Sequence, residues 1–212
     1  MTITGAILRN AVIYAAQMIT SHRQEIDALN VFPVPDGDTG TNMSMTITNA
    51  SREVRVKDDS ESVSAVASCV ASGLLRGARG NSGVILSLIF RGISKGLKGL
   101  DEADGAAIAS ALEHGSSSAY KAVMKPTEGT ILTVIRTASE YARKAVNDGE
   151  TDAVKVFDAG LEGAKAALAD TPNILPVLKK AGVVDAGGSG LVCIFTAMSD
   201  VFHGKEVNLD AD

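Results

Sequence analysis

Apolar residues recur along the chain at alternating spacings of three and four positions, which is the period of an amphipathic α-helix. The clearest stripe runs from Val154 to Leu168, and its opposite side carries acidic and basic residues. Alternation of the strand type is hard to find. The pattern predicts an all-α fold of about eight helices. They are expected at 6–20, 40–52, 63–74, 83–95, 108–123, 131–142, 154–168 and 191–202.

Composition narrows the classes of function. The 212 residues are 45% hydrophobic and 21% charged, which is typical of one globular domain. A net charge of −5 provides no basic excess for nucleic acid, so we expect no nucleic-acid partner. No apolar run approaches the ~20 residues of a membrane span, and the start does not resemble a secretory signal. We therefore expect a cytoplasmic protein without a membrane span.

The cysteines and histidines suggest no site of their own. Cys69 and Cys193 lie far apart within apolar stretches, and we interpret them as buried structural thiols. His22, His114 and His203 have neither metal-ligand nor catalytic spacing, and we expect them at the surface or at helix ends.

Glycine and proline concentrate in four loops, at 31–40, 77–83, 125–129 and 182–190. If the helices alternate up and down, these loops lie at one end of a bundle and surround a single site. After His203 the chain becomes polar and acidic. We expect one domain over 1–203 and a tail over 204–212, which is either frayed or the start of a linker to further domains.

The first loop, from Asn30 to Asn42, carries two carboxylates. Asp36 and Asp38 flank Gly37, and in a turning backbone both side chains can converge on one point. Close carboxylates repel unless a cation lies between them, and oxygen ligands favour a hard cation such as Mg²⁺. The structural alternative is an Asp-Gly turn in which Asp38 or a following threonine caps the next helix.

The second loop leads into an apolar helix and suits phosphate oxygens. Glycine-rich turns that open a helix expose backbone N–H groups at its positive end, and Asn81 and Ser82 add side-chain donors. No Walker motif is present, and the alternative is an ordinary helix cap. The loops at 125–130 and 185–190 repeat this design.

Four motifs, in order, carry a family resemblance: LNVFPVPDGDTGTNM, GARGNSGVILS, EGTILTV and VVDAGGSGL. Together they resemble the nucleotide-binding domain at the amino end of bacterial fatty acid kinase, within the dihydroxyacetone kinase nucleotide-subunit superfamily. The resemblance covers nearly the whole chain. It implies a barrel of about eight antiparallel helices, with ATP and Mg²⁺ bound by the loops at one end.

Residue by residue, the resemblance implies a site. Asp36 and Asp38 would be the catalytic aspartates that bind magnesium, with two ions expected, and Asn30 is the nearest equivalent of a third metal ligand. The nucleotide would contact Thr39, Asn42, Asn81, Ser82, Gly83, Gly129, Thr130, Asp185 and Gly187.

The implied reaction is ATP- and Mg²⁺-dependent phosphorylation of a fatty acid carboxylate, presented by an acyl-binding partner protein, to give an acyl phosphate and ADP. A carboxylate is already ionised at neutral pH, so this transfer needs no general base. The alternatives are a dihydroxyacetone kinase subunit and a nucleotide-sensing module without catalysis. Full fatty acid kinases are longer, so we expect the nucleotide domain of a longer protein. The resemblance also allows a homodimer of that protein.

Overall fold

Helices dominate residues 1–211, which are the residues that the computed structural model describes. Within this range there are nine helices and one isolated bridge, between Ile3 and Ala103. The helices are α1 Gly5–Leu29, α2 Thr39–Val54, α3 Val63–Gly77, α4 Gly80–Gly96, α5 Gly105–Ala122, α6 Ile131–Asn147, α7 Ala153–Ile174, α8 Pro176–Ala181 and α9 Ala186–Phe202. The prediction of an all-α fold is confirmed.

Eight helices form a closed antiparallel ring. Each of α1 to α7 packs on the next, α7 packs on α9, and α9 packs on α1, while the short α8 connects α7 to α9. Small residues allow close contacts in this ring. A Cβ on Gly92 of α4 would lie 2.1 Å from the carbonyl oxygen of His114 in α5, so only glycine permits this approach. The interior is one continuous apolar core drawn from all eight helices of the ring.

Side-chain caps differ between the two ends of the ring. The helices that begin at the end opposite the glycine-rich loops, α1, α3, α5 and α7, each have a side-chain cap. At the loop end α6 and α9 are capped by Thr130 and Asp185, whereas Asp38 and Arg79 make no side-chain cap for α2 and α4. Two helices therefore begin at this end with backbone N–H groups that no N-cap side chain satisfies.

Several predicted boundaries need correction. Helix α1 ends at Leu29 and not at 20, and α7 ends at Ile174 and not at 168. Helix α8 was not predicted, because six residues are too short to show a helical period. Helix α4 begins at Gly80, so Asn81, Ser82 and Gly83 lie in its first turn and not in a loop before it. Helix α9 likewise begins at Ala186 and includes Gly187.

Residues of the tail over 204–211 make hydrogen bonds to α1. The side-chain amide of Gln17 donates to the carbonyls of Asn208 and Ala211 at 3.0 and 3.1 Å. Lys205 donates to the hydroxyl of Tyr14 at 3.1 Å. Asp212, the last residue of the predicted tail, lies outside the described residues.

The structure places the cysteines and histidines close to expectation. Both cysteines are unpaired and half-buried, so they are less buried than predicted. Burial raises the pKa of the Cys69 thiol, and that of Cys193 to about 11, which keeps both thiols protonated near neutral pH. His114 and His203 are exposed and His22 is half-buried. Across the described chain, no helix has the length and apolar character needed to span a membrane.

Candidate functional site

The four glycine-rich loops border one cavity of about 610 Å³ at the end of the ring. Ten of the predicted site residues line it: Asn30, Asp36, Asp38, Thr39, Asn42, Asn81, Ser82, Thr130, Asp185 and Gly187. Two predicted site residues, Gly83 and Gly129, are not among its lining residues. The up-and-down arrangement of the helices therefore brings together residues that are up to 157 positions apart in the sequence, from Asn30 to Gly187.

Asn30 shapes the first loop from its base. Its side chain is 6% exposed; the amide oxygen accepts the backbone N–H of Asp38 at 3.1 Å, and the amide nitrogen donates to the carbonyl of Val34 at 3.1 Å. Gly37 supplies the turn with a φ of +65°. The amide oxygen of Asn30 thus holds the turn that carries the two aspartates, and its role as a third metal ligand stays a prediction.

Asp36 and Asp38 present their carboxylates without protein partners. Asp36 is exposed and Asp38 half-buried, and neither carboxylate makes a hydrogen bond or ion pair within residues 1–211. The first turn of α2 is served by another acid, since Asp27 accepts the backbone N–H of Thr41 at 2.9 Å and its hydroxyl at 2.6 Å. The capping alternative for Asp38 is therefore wrong.

The Asp27 contact was missed in the sequence. Asp27 lies in the last turn of α1, beyond the predicted end of that helix at 20, so no local pattern marked it. Thr41, the donor, lies 14 residues further along the chain.

The start of α4 packs directly on α2. A Cβ at Gly83 would lie 2.3 Å from the hydroxyl of Thr46, so Gly83 permits helix contact and does not face the cavity. The same hydroxyl accepts the backbone N–H of Arg79 at 3.1 Å. Gly80 has a φ of +63° and lies against Asn42, whose amide nitrogen would be 2.4 Å from an added Cβ. Asn81 and Ser82 then line the cavity at the uncapped end of α4.

The third loop is held by Glu128. Its carboxylate accepts the hydroxyl of Tyr120 at 2.9 Å, the guanidinium of Arg136 at 2.8 Å, and the hydroxyl of Thr133. Burial alone would raise the pKa of Glu128, but these bonds and the Arg136 charge lower it. Burial, together with Glu128, raises the pKa of Tyr120 to about 12.

Gly129 and Thr130 complete the third loop in different ways. Gly129 has a φ of +82°, and an added Cβ would lie 2.8 Å from the Cβ of Leu175, so the glycine serves the turn and its packing. Thr130 lines the cavity and caps α6 through Leu132 N–H at 3.3 Å.

Asp185 is a buried acid in the fourth loop. It is 5% exposed and caps α9 by accepting the N–H of Gly188 at 2.8 Å. Burial raises the pKa of its carboxyl to about 6, although the N–H groups of Gly188 and Ile131 act in the opposite direction. Asp185 therefore caps its own helix and lies close to the start of α6.

These elements make the cavity suitable for an anion that binds together with a metal cation. The positive ends of α2, α4, α6 and α9 meet there. The N-cap residues of α2 and α4 make no side-chain cap, and Asp27 accepts one first-turn N–H of α2. Asp36 and Asp38 supply oxygen ligands. Nowhere in residues 1–211 do three or more acidic, histidine or cysteine side chains come close enough to hold a metal by themselves. Mg²⁺ commonly uses one or two carboxylates, with water and substrate phosphates as its other ligands, so this donor set fits that ion.

Comparison with known families identifies the domain type. Residues 33–200 match the DAK2 domain family. The chain belongs to this family. Among its relatives, Protein YloV of Bacillus subtilis is 46% identical over 206 residues, and Uncharacterized protein SH1689 of Staphylococcus haemolyticus is 47% identical over 207 residues. Each alignment covers 97% of this chain but 37% of the relative, so the DAK2 domain described here spans little more than a third of those proteins.

Solved structures share the fold. The dihydroxyacetone kinase of C. freundii in its native form superposes with a TM-score of 0.63 at 18% identity, over 92% of this chain and 34% of the kinase. The same kinase in complex with AMP-PNP and Mg²⁺ gives a TM-score of 0.66 at 16% identity, over 94% of this chain and 34% of the kinase. At these identities the similarity establishes the helical architecture.

Proposed function

We propose that this DAK2 domain binds Mg²⁺-ATP in the cavity and donates the γ-phosphoryl group to a fatty acid carboxylate presented by an acyl-binding partner protein in the cytoplasm. The products are an acyl phosphate and ADP. The observation that carries this proposal is the meeting of two carboxylates without protein partners and four helix starts at one cavity. The C. freundii kinase, part of which shares this fold, was solved in complex with AMP-PNP and Mg²⁺, which supports the same choice of ligand here.

Each part of the cavity has a role in this proposal. Asp36 and Asp38 hold magnesium, with Asn30 fixing the turn between them. The first turn of α4, with Asn81 and Ser82, donates to phosphate oxygens, as do the N–H groups at the start of α2. When bound, the metal would neutralise charge on the phosphates during transfer. Thr39, Asn42, Thr130, Asp185 and Gly187 would enclose the nucleotide.

A carboxylate acceptor suits the chemistry of the cavity. None of its lining residues within the described chain is a histidine, and the lining acids are Asp36, Asp38 and Asp185. The first two are assigned to the metal, and the third is buried and already accepts the backbone N–H of Gly188. An acceptor that arrives ionised requires positioning and charge neutralisation, and no proton has to be removed from it.

Competing acceptors provide the test. The protein is incubated with γ-labelled ATP and Mg²⁺, with either a fatty acid on its binding protein or dihydroxyacetone on its binding subunit. We expect label on the fatty acid only, as an acyl phosphate that hydroxylamine converts to a hydroxamate. Asp36→Asn should abolish the transfer, and Asp101→Asn, an exposed acid outside the cavity, should leave it unchanged.

Two results would contradict the proposed function. Transfer to dihydroxyacetone alone would make the protein a dihydroxyacetone kinase subunit. Mg²⁺-ATP binding without transfer to either acceptor, by this domain and by the longer relatives alike, would make it a nucleotide sensor. The same assay on the longer relatives tests whether additional domains, which we propose to follow residue 203, are needed for transfer.

A further inference from the structure

A second concave surface lies between α4 and α5, outside the loop-lined cavity. It is a groove of about 300 Å³. Its polar lining consists of Arg91 and Lys95 from α4 and His114, Ser117, Ser118 and Lys121 from α5. The groove meets the larger cavity at Leu88 and Ala122, which line both.

The groove arises from the tight contact between these two helices. Gly92 lies against the backbone of His114, and a Cβ on Gly96 would lie 2.6 Å from the Cα of Ala111. Because the helix axes approach so closely, side chains that flank the contact on both helices share one space. On α4 these are positions 88, 91 and 95, and on α5 positions 114, 117, 118 and 121, which follow the three-and-four spacing of one helix face.

The charged side chains that line the groove are all basic. Arg91, Lys95 and Lys121 have no carboxylate within 4 Å in the described part of the chain, and no acid is among the lining residues. The acid on this stretch of α5, Glu113, is paired with Arg143. Three unpaired cations in one small groove are unexpected in a chain whose net charge is −5.

The hydrogen-bonding groups of the groove are mostly donors. Two serine hydroxyls accompany the three cations. His114 Nδ1 lies 2.8 Å from the carbonyl oxygen of Ser110, which can only accept, so Nδ1 carries a proton and Nε2 is left for another contact. Guanidinium, ammonium and hydroxyl donors around one space match the several acceptor oxygens and double charge of a phosphate group better than the single charge of a carboxylate.

We propose that the α4–α5 groove is a second anion site, separate from the candidate nucleotide cavity, that binds a small phosphate-bearing molecule. A volume of about 300 Å³ suits a small molecule and is too small for a protein segment of several residues. The site adjoins the candidate nucleotide cavity, since Leu88 and Ala122 line both.

The test is a titration of the ¹⁵N-labelled protein with inorganic phosphate, followed by NMR, with acetate as the parallel carboxylate probe. We expect saturable shifts of the backbone amides of Ser117, Ser118 and Arg91 with phosphate, and none of comparable size with acetate. The double variant Arg91→Gln/Lys95→Gln should weaken phosphate binding at these amides by at least about tenfold, because two charge-assisted contacts are lost.

The matched control is Lys155→Gln/Lys165→Gln, which removes two exposed charges from α7 and leaves the groove intact. It should bind phosphate with an affinity within about twofold of the original protein. Any of three results would overturn the proposal: equal weakening in both double variants, shifts confined to the amides of Asn81 and Ser82, or equal binding of acetate. No phosphoryl transfer is measured, so these results are independent of the proposed kinase activity.

Discussion

Asp185 is more deeply buried than the other two acids that line the candidate nucleotide cavity. Its folded pKa, about 6, lies above the ordinary value of 3.8, so the folded protein holds this proton more tightly than the unfolded chain. Between these two values the folded state binds more protons, and the stability contributed by this group falls as the pH rises. Ionisation of Asp185 therefore lowers the free energy of unfolding near neutral pH. This loss disappears in acid, where the carboxyl is protonated.

Replacement by asparagine should remove this dependence. Asp185→Asn should have a higher free energy of unfolding than the original protein. This difference between the two proteins should be about 2 kcal/mol larger at about pH 7.5 than at about pH 4.5. The amide oxygen can still accept the N–H of Gly188, so the cap of α9 is retained. Urea unfolding at both pH values measures the difference. A difference that stays constant with pH would show that Asp185 does not titrate between them.

Gly80 offers a second prediction at the residue scale. Alanine there should cost about 1 kcal/mol of stability, because a φ of +63° disfavours a Cβ. The Cβ should also displace the Asn42 amide from the cavity wall and so weaken binding of Mg²⁺-AMP-PNP. Gly99→Ala is the matched control, since Gly99 has a φ of +81° and nothing lies within 4 Å of an added Cβ. Calorimetry should show weaker nucleotide binding in the first variant only; equal affinities would contradict a role for Asn42.

A short motif was enough to mark two residues that line the cavity. Asp36 and Asp38 stand two positions apart and have no protein partner in residues 1–211, and their role as metal ligands stays a prediction. The supporting contacts were not predictable, because they join residues that the fold brings together. Thr41 meets Asp27 across a loop, and Gly83 meets Thr46 across two helices. Whether a glycine faces a ligand or a neighbouring helix depends on packing, which local sequence does not encode.

Among the structural elements, the third loop depends on one network. Glu128 joins α5, through Tyr120, to α6, through Thr133 and Arg136. Glu128→Gln replaces a charged acceptor by an amide, so we expect faster amide hydrogen exchange over residues 125–130 and nucleotide affinity reduced by about threefold to tenfold. Hydrogen exchange with mass spectrometry and calorimetry measure the two effects.

Glu140→Gln is the control for this network. Glu140 also pairs with Arg136, at 3.5 Å, but it is exposed and makes no bond to the loop. Its substitution should change neither exchange nor affinity, because exposed helix pairs contribute little. If amide exchange over residues 125–130 becomes faster by the same amount in both variants, the charge of Arg136, and not the Glu128 network, determines the stability of the loop.

The periodicity of apolar residues predicted which segments are helices, but it did not predict where those helices begin and end. Each predicted helix is present, since a stripe of apolar residues buries against the ring wherever it occurs. The starts of α4 and α9 were placed too late because their first turns are rich in glycine, which resembles a loop in sequence. In these two helices the first turn packs closely on neighbouring elements, and this packing favours glycine within a helix.

For the whole molecule, the closed antiparallel ring explains how the site is assembled. Alternating directions bring the starts of α2, α4, α6 and α9 to one end, so four weak local patterns become one cavity. The sequence predicted that the four loops meet at one end only under the assumption that successive helices alternate in direction. The α4–α5 groove could not be foreseen at all, because its cations come together through a glycine contact between two helices.

The central claim is that Asp36 and Asp38 bind a magnesium ion that anchors a nucleotide triphosphate. Calorimetric titration with AMP-PNP, with and without Mg²⁺, tests it most directly on the original protein and on Asp38→Asn. We predict Mg²⁺-dependent binding to the original protein and a loss of at least about a hundredfold in Asp38→Asn, with an unchanged melting temperature in the absence of ligand. Equal affinity in the variant, or binding that does not require Mg²⁺, would contradict the account.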